Sequence, residues 1–353
     1  MNIVIIGVAL TFEIKATGRA VPQRRVSNEE LAQKIDTSDE WIWSHTGIKA
    51  RHIADAETAS SDLGVKAAWN ALEMAVERGA YAEKTVEELA FTLDMIIVAT
   101  TTPDFYGCPS TACLIQNKLG AKNAGAMDIS AACSGFIYGL ETAAGLLSAG
   151  KGRKRCLVIG CEILSRFIDW NDRGTCVLFG DGAGAVLLEK TDAPREGAER
   201  RGLLRTLLRA DGAGSKNLII KKGGSRNAYR AGDVFEFAPL IEMNGHAVYN
   251  FAVHAVTEII KDLLEAERLT VDELRWIVPH QANARIVQAA TKRLGFPREK
   301  FFLNIDEYAN TSAASIPIAL DELNREGHLK KGDIILCVGF GAGLTYGGNL
   351  IVW

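Results

Sequence analysis

The chain carries almost no excess of charge of one sign: 40 Lys or Arg stand against 43 Asp or Glu, a formal net of −3 over 353 residues. Without a global basic field, nucleic acid is not an expected partner. No stretch approaches the ~18–20 uninterrupted apolar residues of a membrane helix, so no membrane insertion is expected. The apolar opening MNIVIIGVAL is too short to span a bilayer and has no Lys or Arg before it, as a signal peptide requires; it reads as a strand. No CxxC pair occurs among the seven cysteines (108, 113, 133, 156, 161, 176 and 337), and the six histidines stand at no recognisable zinc spacing from them. An odd number of cysteines without a disulfide pattern reads as reduced thiols, and hence a cytoplasmic protein.

What is present is apolar and periodic. A hydrophobic content of 48% over this length can bury a large core, as one big domain or two similar halves. Continuous apolar runs at 95–100 (MIIVAT) and 156–160 (CLVIG) suit strands buried on both faces of a sheet. They alternate with helical patterns over 60–78, 110–119 and the long amphipathic run HAVYNFAVHAVTEIIKDLL. This alternation predicts an α/β layered fold with a mainly parallel sheet. Ser27-x-x-Glu30 and Thr85-x-x-Glu88 are capping boxes. DTSDEWIWSHTGIKARH reads as a loop, where Trp41 and Trp43 beside His45, Lys49 and Arg51 suit either a nucleotide-like ligand or packing. Between Arg195 and Asp233, ten Lys or Arg face four Asp or Glu, a local net of +6 that reads as a solvated connection between halves.

Residues 125–150 run a small-residue strand into Cys133 and then into an apolar-periodic helix. A cysteine at a helix start meets unsatisfied N–H groups and the positive end of the dipole, which favour the thiolate. Position alone leaves Cys133 open between a nucleophile and a buried small hydrophobe. The second half echoes the first: AMDISAACSGFIYGLETAAGLLSAG with CLVIG matches LNIDEYANTSAASIPIALDELNREG with IILCVG. Counting back seventeen residues from Gly150 gives Cys133, and from Gly327 gives Asn310, which pairs the two as equivalent helix starts. Duplication would bring them together about a pseudo-twofold axis, with His280 at a strand end nearby. Cys, His and Asn together can hold an acyl thioester and donate hydrogen bonds to an oxyanion. Asn cannot serve as a base, so the set suits an enolate better than an activated water.

The motifs AACSG (131–135), PHQAN (279–283), ANTSAAS (309–315) and GFGAGLTYGG (339–348), with DTSDEW (36–41), DRGT (172–175) and FGDGAGA (179–185), cover almost the whole length. On these the chain closely resembles β-ketoacyl-acyl-carrier-protein synthase III, an initiating condensing enzyme of the thiolase superfamily. The resemblance implies a thiolase-like fold of duplicated αβαβα layered halves (1–195 with the nucleophile, 196–353 with His and Asn) and a homodimer. It implies a ping-pong condensation of an acyl-CoA primer with malonyl-acyl carrier protein, with no metal or organic cofactor. In that reading Cys133 resembles the acylated nucleophile, and His280 and Asn310 the pair that stabilises the enolate. The backbone N–H groups of Cys133 and Ala342 resemble the oxyanion hole. Trp41 and Arg173 match a pair that sandwiches the adenine of coenzyme A, and Asn283 a residue along the pantetheine arm. Arg285, Lys292 and Arg293 match a helix presented to the acidic carrier protein. Three departures stand out: His45 where relatives often have an arginine near the coenzyme A phosphates, Asn250 in place of a docking lysine, and Cys108 in place of a phenylalanine closing the acyl pocket. The last implies room for a primer longer than acetyl.

A thiolase would place a second cysteine in the final glycine loop, whereas Cys337 precedes it. A specialised condensing enzyme making a quinolone, polyketide or long-chain ketone is the alternative that sequence separates least. A non-catalytic partner subunit would be expected to lose Cys133, His280 and Asn310. A Rossmann dehydrogenase is set aside because GDGAG leads into a strand and GFGAG into a terminal segment, not into helix starts.

Overall fold

The computed structural model describes residues 10–79, 81–192, 200–229 and 240–353. In chain order the first part comprises β1 (Leu10–Ala20), β2 (Arg25–Ser27), α1 (Asn28–Ala32), α2 (Asp39–Thr46), β3 (Ala50–His52), α3 (Ser60–Glu77) and α4 (Val86–Phe91). It continues with β4 (Met95–Ala99), α5 (Thr111–Leu119), β5 (Gly125–Ile129), α6 (Gly135–Ala149), β6 (Arg155–Glu162) and β7 (Gly182–Asp192). Then come β8 (Gly202–Ala210), β9 (Leu218–Ile220), β10 (Ile241–Met243), α7 (Gly245–Glu267), β11 (Leu274–Pro279), α8 (Ala284–Leu294), α9 (Ile305–Tyr308), α10 (Ser315–Arg325), β12 (Ile334–Gly341) and β13 (Thr345–Val352).

One sheet has the order β1-β7-β6-β4-β5, with β5, β4 and β6 parallel and β7 antiparallel to both β6 and β1. A second has the order β11-β12-β13-β8, parallel only between β11 and β12. The fold is therefore layered α/β of the thiolase type, and its sheets are mixed. Strand alternation shows how the layers form, because successive side chains point to opposite faces. Ile96, Val98, Leu157 and Ile159 pack outward against α3, α4 and α5. Ile97 and Val158 point inward, where α6 and α10 lie between the sheets with Ile335 and Cys337 of β12. Leu336 and Val338 face the opposite way, against α7 and α8. Continuous apolar runs arise because both faces of these strands are covered.

The central helices touch the sheet backbone. A Cβ on Gly160 would lie 2.2 Å from the Ala313 carbonyl oxygen, so only glycine lets the start of α10 rest on β6. The duplication is visible in backbone conformation. Ala132 (φ +45°) and Ser312 (φ +49°) each open a 3₁₀ turn, Ala132–Ser134 and Ser312–Ala314, which leads into α6 or α10. This registers Cys133 with Ala313, not with Asn310, which stands three residues earlier. The residue count failed because α6 runs 15 residues directly into Gly150, whereas α10 has 11 and only Glu326 separates it from Gly327, three positions fewer.

Two other expectations change. The DTSDEW segment is helical: Ser38 caps α2 by accepting the Trp41 N–H, acidic Asp39 and Glu40 fill its first turn, and Gly47 closes it at φ +78°. The basic region is not a simple connection, since 202–210 is the edge strand β8 and β9 pairs with β10. Its residues 195–199 and 230–233, like the proposed boundary at 195/196, lie outside the described residues. Of the opening MNIVIIGVAL only Leu10 is described, as the first residue of β1.

Candidate active site

Cys133 sits in the 3₁₀ turn between β5 and α6, buried. The turn is fastened to β13: Thr345 donates its hydroxyl hydrogen to the Ala131 carbonyl at 2.9 Å, and Ser134 donates its own to Thr345 Oγ1 at 2.8 Å. Beside it passes Gly341, where a Cβ would lie 2.5 Å from the Cys133 nitrogen. Burial pushes the Cys133 thiol up to about 12, and the Glu162 charge adds to the rise, while hydrogen bonds from Ser312 and the backbone oppose it. This reverses the direction expected from a helix start: desolvation outweighs the dipole and the few available N–H groups.

His280 follows β11 directly and is buried. Its N–H donates to the Val338 carbonyl at 2.8 Å, and its Nδ1 lies 2.7 Å from the Ser315 hydroxyl. Burial alone holds the imidazole down to about 3, so it is neutral at physiological pH. Asn310 is held by the backbone, its N–H to the Leu178 carbonyl at 2.9 Å and its carbonyl accepting Gly180 N–H at 3.0 Å. Its Oδ1 accepts the Ser312 N–H at 2.9 Å. That bond orients the amide and leaves the Nδ2 hydrogens to the cavity.

Cys133, His280 and Asn310 line one cavity of about 250 Å³ together with Trp41, His45, Arg173, Asn283 and Arg285. Cys133 also borders a second, apolar cavity of about 70 Å³, with Leu164, Phe179, Leu218–Ile220 and Ile241, closed by Ala342 and Ser312. At the outer end Trp41 stacks on His45 (centroids 4.5 Å apart), and the Arg173 guanidinium lies 4.7 Å over the Trp41 ring. Asn283 caps α8 and donates its side-chain N–H to the His45 carbonyl at 3.0 Å.

Family comparison settles what these parts belong to. Residues 127–215 match the 3-oxoacyl-[acyl-carrier-protein] synthase III family and residues 264–353 its C-terminal region. The chain is 45% identical to the β-ketoacyl-[acyl-carrier-protein] synthase III of Clostridium acetobutylicum over 97% of its length and 98% of the relative. It is 47% identical to that of Caldanaerobacter subterraneus, covering 96% of this chain and 97% of the relative. The chain belongs to the 3-oxoacyl-[acyl-carrier-protein] synthase III family. Among solved structures, the synthase III of Aquifex aeolicus superposes with a TM-score of 0.82 at 42% identity, covering 97% of this chain and all of that one.

Other residues singled out on synthase III resemblance fall in different places. Arg285 lies at the cavity edge, while Lys292 and Arg293 are exposed in the last turn of α8, beyond the cavity lining. Asn250 is exposed on α7 beside His246. The structure does not bring Cys108 to Cys133: it is exposed and borders neither cavity. The small cavity is walled instead by β9, inside the stretch read as a solvated connection, and by Ile241 of β10, beyond it. Nor do Trp41 and Arg173 hold an open slot. They stack on each other, and a ring between them would need nearly twice their separation, since one stacked pair already takes about 4.5 Å or more. Sequence reasoning also passed over Ser312, Ser315 and Glu162. The available signal for Glu162 was a lone acid closing the otherwise apolar run CLVIGCE. No cluster of three His, Cys, Asp or Glu able to hold a metal, and no helix long and apolar enough to cross a membrane, is present among the described residues.

Proposed function

We infer that the protein initiates fatty acid synthesis by a decarboxylative Claisen condensation, joining an acyl-CoA primer to malonyl-acyl carrier protein. The observation that carries this is the convergence of Cys133, His280 and Asn310 on one cavity whose outer end holds Trp41, Arg173 and Asn283. In the first half-reaction Cys133 Sγ bonds the acyl carbonyl carbon, and coenzyme A leaves as its thiol. The oxyanion formed on the way takes hydrogen bonds from the Cys133 and Ala342 N–H groups. In the second, the malonyl thioester loses carbon dioxide, and the electron pair of the broken carbon–carbon bond passes to the thioester oxygen as an enolate.

Asn310 suits that enolate because its carbonyl end is already bound to Ser312 N–H and only N–H donors remain. His280 suits it as a neutral donor: Ser315 Oγ accepts the Gln281 N–H at 3.3 Å and lies 2.7 Å from Nδ1, and the tautomer in which the hydroxyl donates to Nδ1 carries the imidazole hydrogen on Nε2, free for the enolate. The enolate carbon then attacks the acyl-Cys133 carbonyl, and collapse frees the thiolate. No group in this set is arranged to deprotonate water, which favours condensation over hydrolysis.

The resemblance further supports a cytoplasmic homodimer that needs no cofactor, with halves meeting at 195/196. The exposed Lys292 and Arg293, with Arg285 at the cavity edge, would receive an acidic carrier protein. Intact-mass analysis after mixing with a panel of acyl-CoA thioesters tests the reading. One acyl adduct is expected, absent in Cys133→Ala and discharged by malonyl-acyl carrier protein; no adduct with any primer would overturn it. Asn310→Ala should still acylate yet decarboxylate about 10²–10³-fold more slowly, the usual loss for one oxyanion donor.

A further inference from the structure

Trp41 and Arg173 stack on each other at the outer end of the large cavity, so an adenine fits between them only if Arg173 leaves the indole. The Arg173 guanidinium also donates to the Asp36 carbonyl at 3.1 Å, an exposed bond that the same movement disturbs. The polar tie that does not move with the clamp lies beneath it. Arg51, the middle residue of β3, is fully buried and lines neither cavity. Its acceptors are all uncharged: Nη1 donates to Asn28 Oδ1 at 2.8 Å and to the Val26 carbonyl at 3.3 Å, and Nη2 to the Val177 carbonyl at 2.9 Å. Its Nε is buried without a partner. Burial lowers the guanidinium to about 10, which leaves it charged at neutral pH.

A charge in the interior costs stability, and neutral acceptors offset only part of that cost. What the guanidinium supplies is direction. Its planar head fixes acceptors on two sides at once, whereas the apolar side chains around it, Ile42, Ile48 and Val177 among them, pack without a preferred register.

Both sides lead to the clamp. Val177 stands at the end of the turn that presents Arg173, in which the Thr175 and Cys176 N–H groups bond the Asp172 carbonyl at 3.1 and 3.0 Å. The Asp172 carboxylate takes the Gly174 N–H and the Thr175 hydroxyl, each at 2.8 Å, so the turn is a self-bonded unit and holding Val177 holds Arg173. On the other side Asn28, also fully buried, donates from Nδ2 to Asp39 Oδ1 at 2.8 Å and to the Ile48 carbonyl at 2.7 Å. Asp39 opens α2 two residues before Trp41, and Ile48 follows the helix end. The Asn28 amide thus lies between a cation and an anion, and its bond to each strengthens its bond to the other.

We propose that Arg51 is a positioning residue for the acyl-CoA primer: through Asn28 on one side and Val177 on the other, it sets the spacing of the two elements that carry Trp41 and Arg173. The clamp can then part around an adenine and still stack on both of its faces. The inference rests on the reading above in which Trp41 and Arg173 hold the nucleotide of coenzyme A. Arg51 touches no reacting atom, so its effect falls on binding of the nucleotide and not on bond making at Cys133.

The test compares single-turnover acylation, by intact mass, with an acyl-CoA that loads wild type and with the same acyl group on pantetheine, which lacks the nucleotide. Acylation is the half-reaction to read, because the Leu178 carbonyl next to Val177 holds Asn310, which acts only in the second. Arg51→Met replaces the guanidinium by an apolar chain, the kind of exchange that buried charges often tolerate. The acyl-CoA concentration giving half the maximal rate should rise about tenfold, within what stacking of one base supplies, with the maximal rate kept. Acylation by acyl-pantetheine should stay within twofold of wild type. Trp41→Ala should show the same split, and Arg51→Met added to it should cost little more, because both act through one contact. If Arg51→Met does not fold, Asp39→Ala at the exposed end of the relay decides, with a rise of about threefold for the loss of one bond to a charged group. Equal losses with both thioesters, or an acyl-CoA half-saturation within twofold of wild type, overturns the proposal and leaves Arg51 a tie within the core. Wild type that uses acyl-pantetheine as readily as acyl-CoA would instead overturn the nucleotide clamp, and this proposal with it.

Discussion

Gly341→Ala probes how tightly Cys133, the proposed nucleophile, is built against its neighbour strand. An added Cβ would meet the Cys133 nitrogen at 2.5 Å, the Ala132 Cβ at 3.0 Å and the Cys133 Cα at 3.3 Å, where ordinary contact begins near 3.4 Å. The two backbones must therefore part by about 0.9 Å at the closest pair, the difference between 3.4 and 2.5 Å. Neither can yield alone. Gly341 is paired with Thr345 of β13, and the Cys133 turn is bonded to that same threonine through Ala131 and Ser134. The strain falls on the two N–H groups proposed for the oxyanion, Cys133 and Ala342. A displacement near 1 Å in a reacting constellation costs about 10²-fold in rate. Overpacking adds about 1–3 kcal/mol of destabilisation. Acylation and condensation should both fall about 10²-fold by intact mass, with a drop of a few degrees in Tm by calorimetry. Gly145→Ala is the control: it lies on an exposed part of α6, with nothing within 4 Å of an added Cβ, and should stabilise by about 0.4–1 kcal/mol. A Gly341→Ala enzyme within threefold of wild type in both half-reactions would refute the reasoning.

The depressed His280 value has a signed consequence for stability. The unfolded imidazole binds a proton near 6.5 and the folded one only near 3, so between these limits the unfolded state holds more protons. The contribution of neutral His280 is fully present above pH 6.5 and is lost as pH falls towards 3. Urea unfolding from pH 7 to 4 should lose stability more steeply in wild type than in His280→Gln; parallel curves would show that the ring is not buried as neutral imidazole. Replacing Lys292 and Arg293 together by Glu should raise the KM for the carrier protein severalfold, by more at low ionic strength than at high, because exposed charges are screened. A KM unchanged at low salt would move the docking surface off α8.

How much could be read from the residues differs by element. MIIVAT and CLVIG announced strands buried on both faces because their apolar runs are uninterrupted, and the structure covers them on both sides with helices. Ser38-Asp39-Glu40 carried helix-start chemistry, yet two tryptophans and scattered charge hid α2, which lacks a strong apolar stripe. β8, β9 and β10 were hidden in another way. Arg205 and Arg209 sit on the edge strand β8 and Lys216, Lys221 and Lys222 flank β9, so charge composition spoke of solvent while Leu218–Ile220 formed the wall of a cavity.

Residue identity and order determined the layered α/β class, the duplication and the set Cys133, His280 and Asn310, because periodicity and local motifs survive in one dimension. Register across the duplication did not, since helices of 15 and 11 residues break a count that assumes equal lengths. Only tertiary structure decided the state of Cys133. Burial is a sum over neighbours from both halves, and it turned an expected thiolate into a thiol raised to about 12. The same packing brought His280 and Asn310 to line one cavity with that thiol, a relation that no local pattern around any of the three contains.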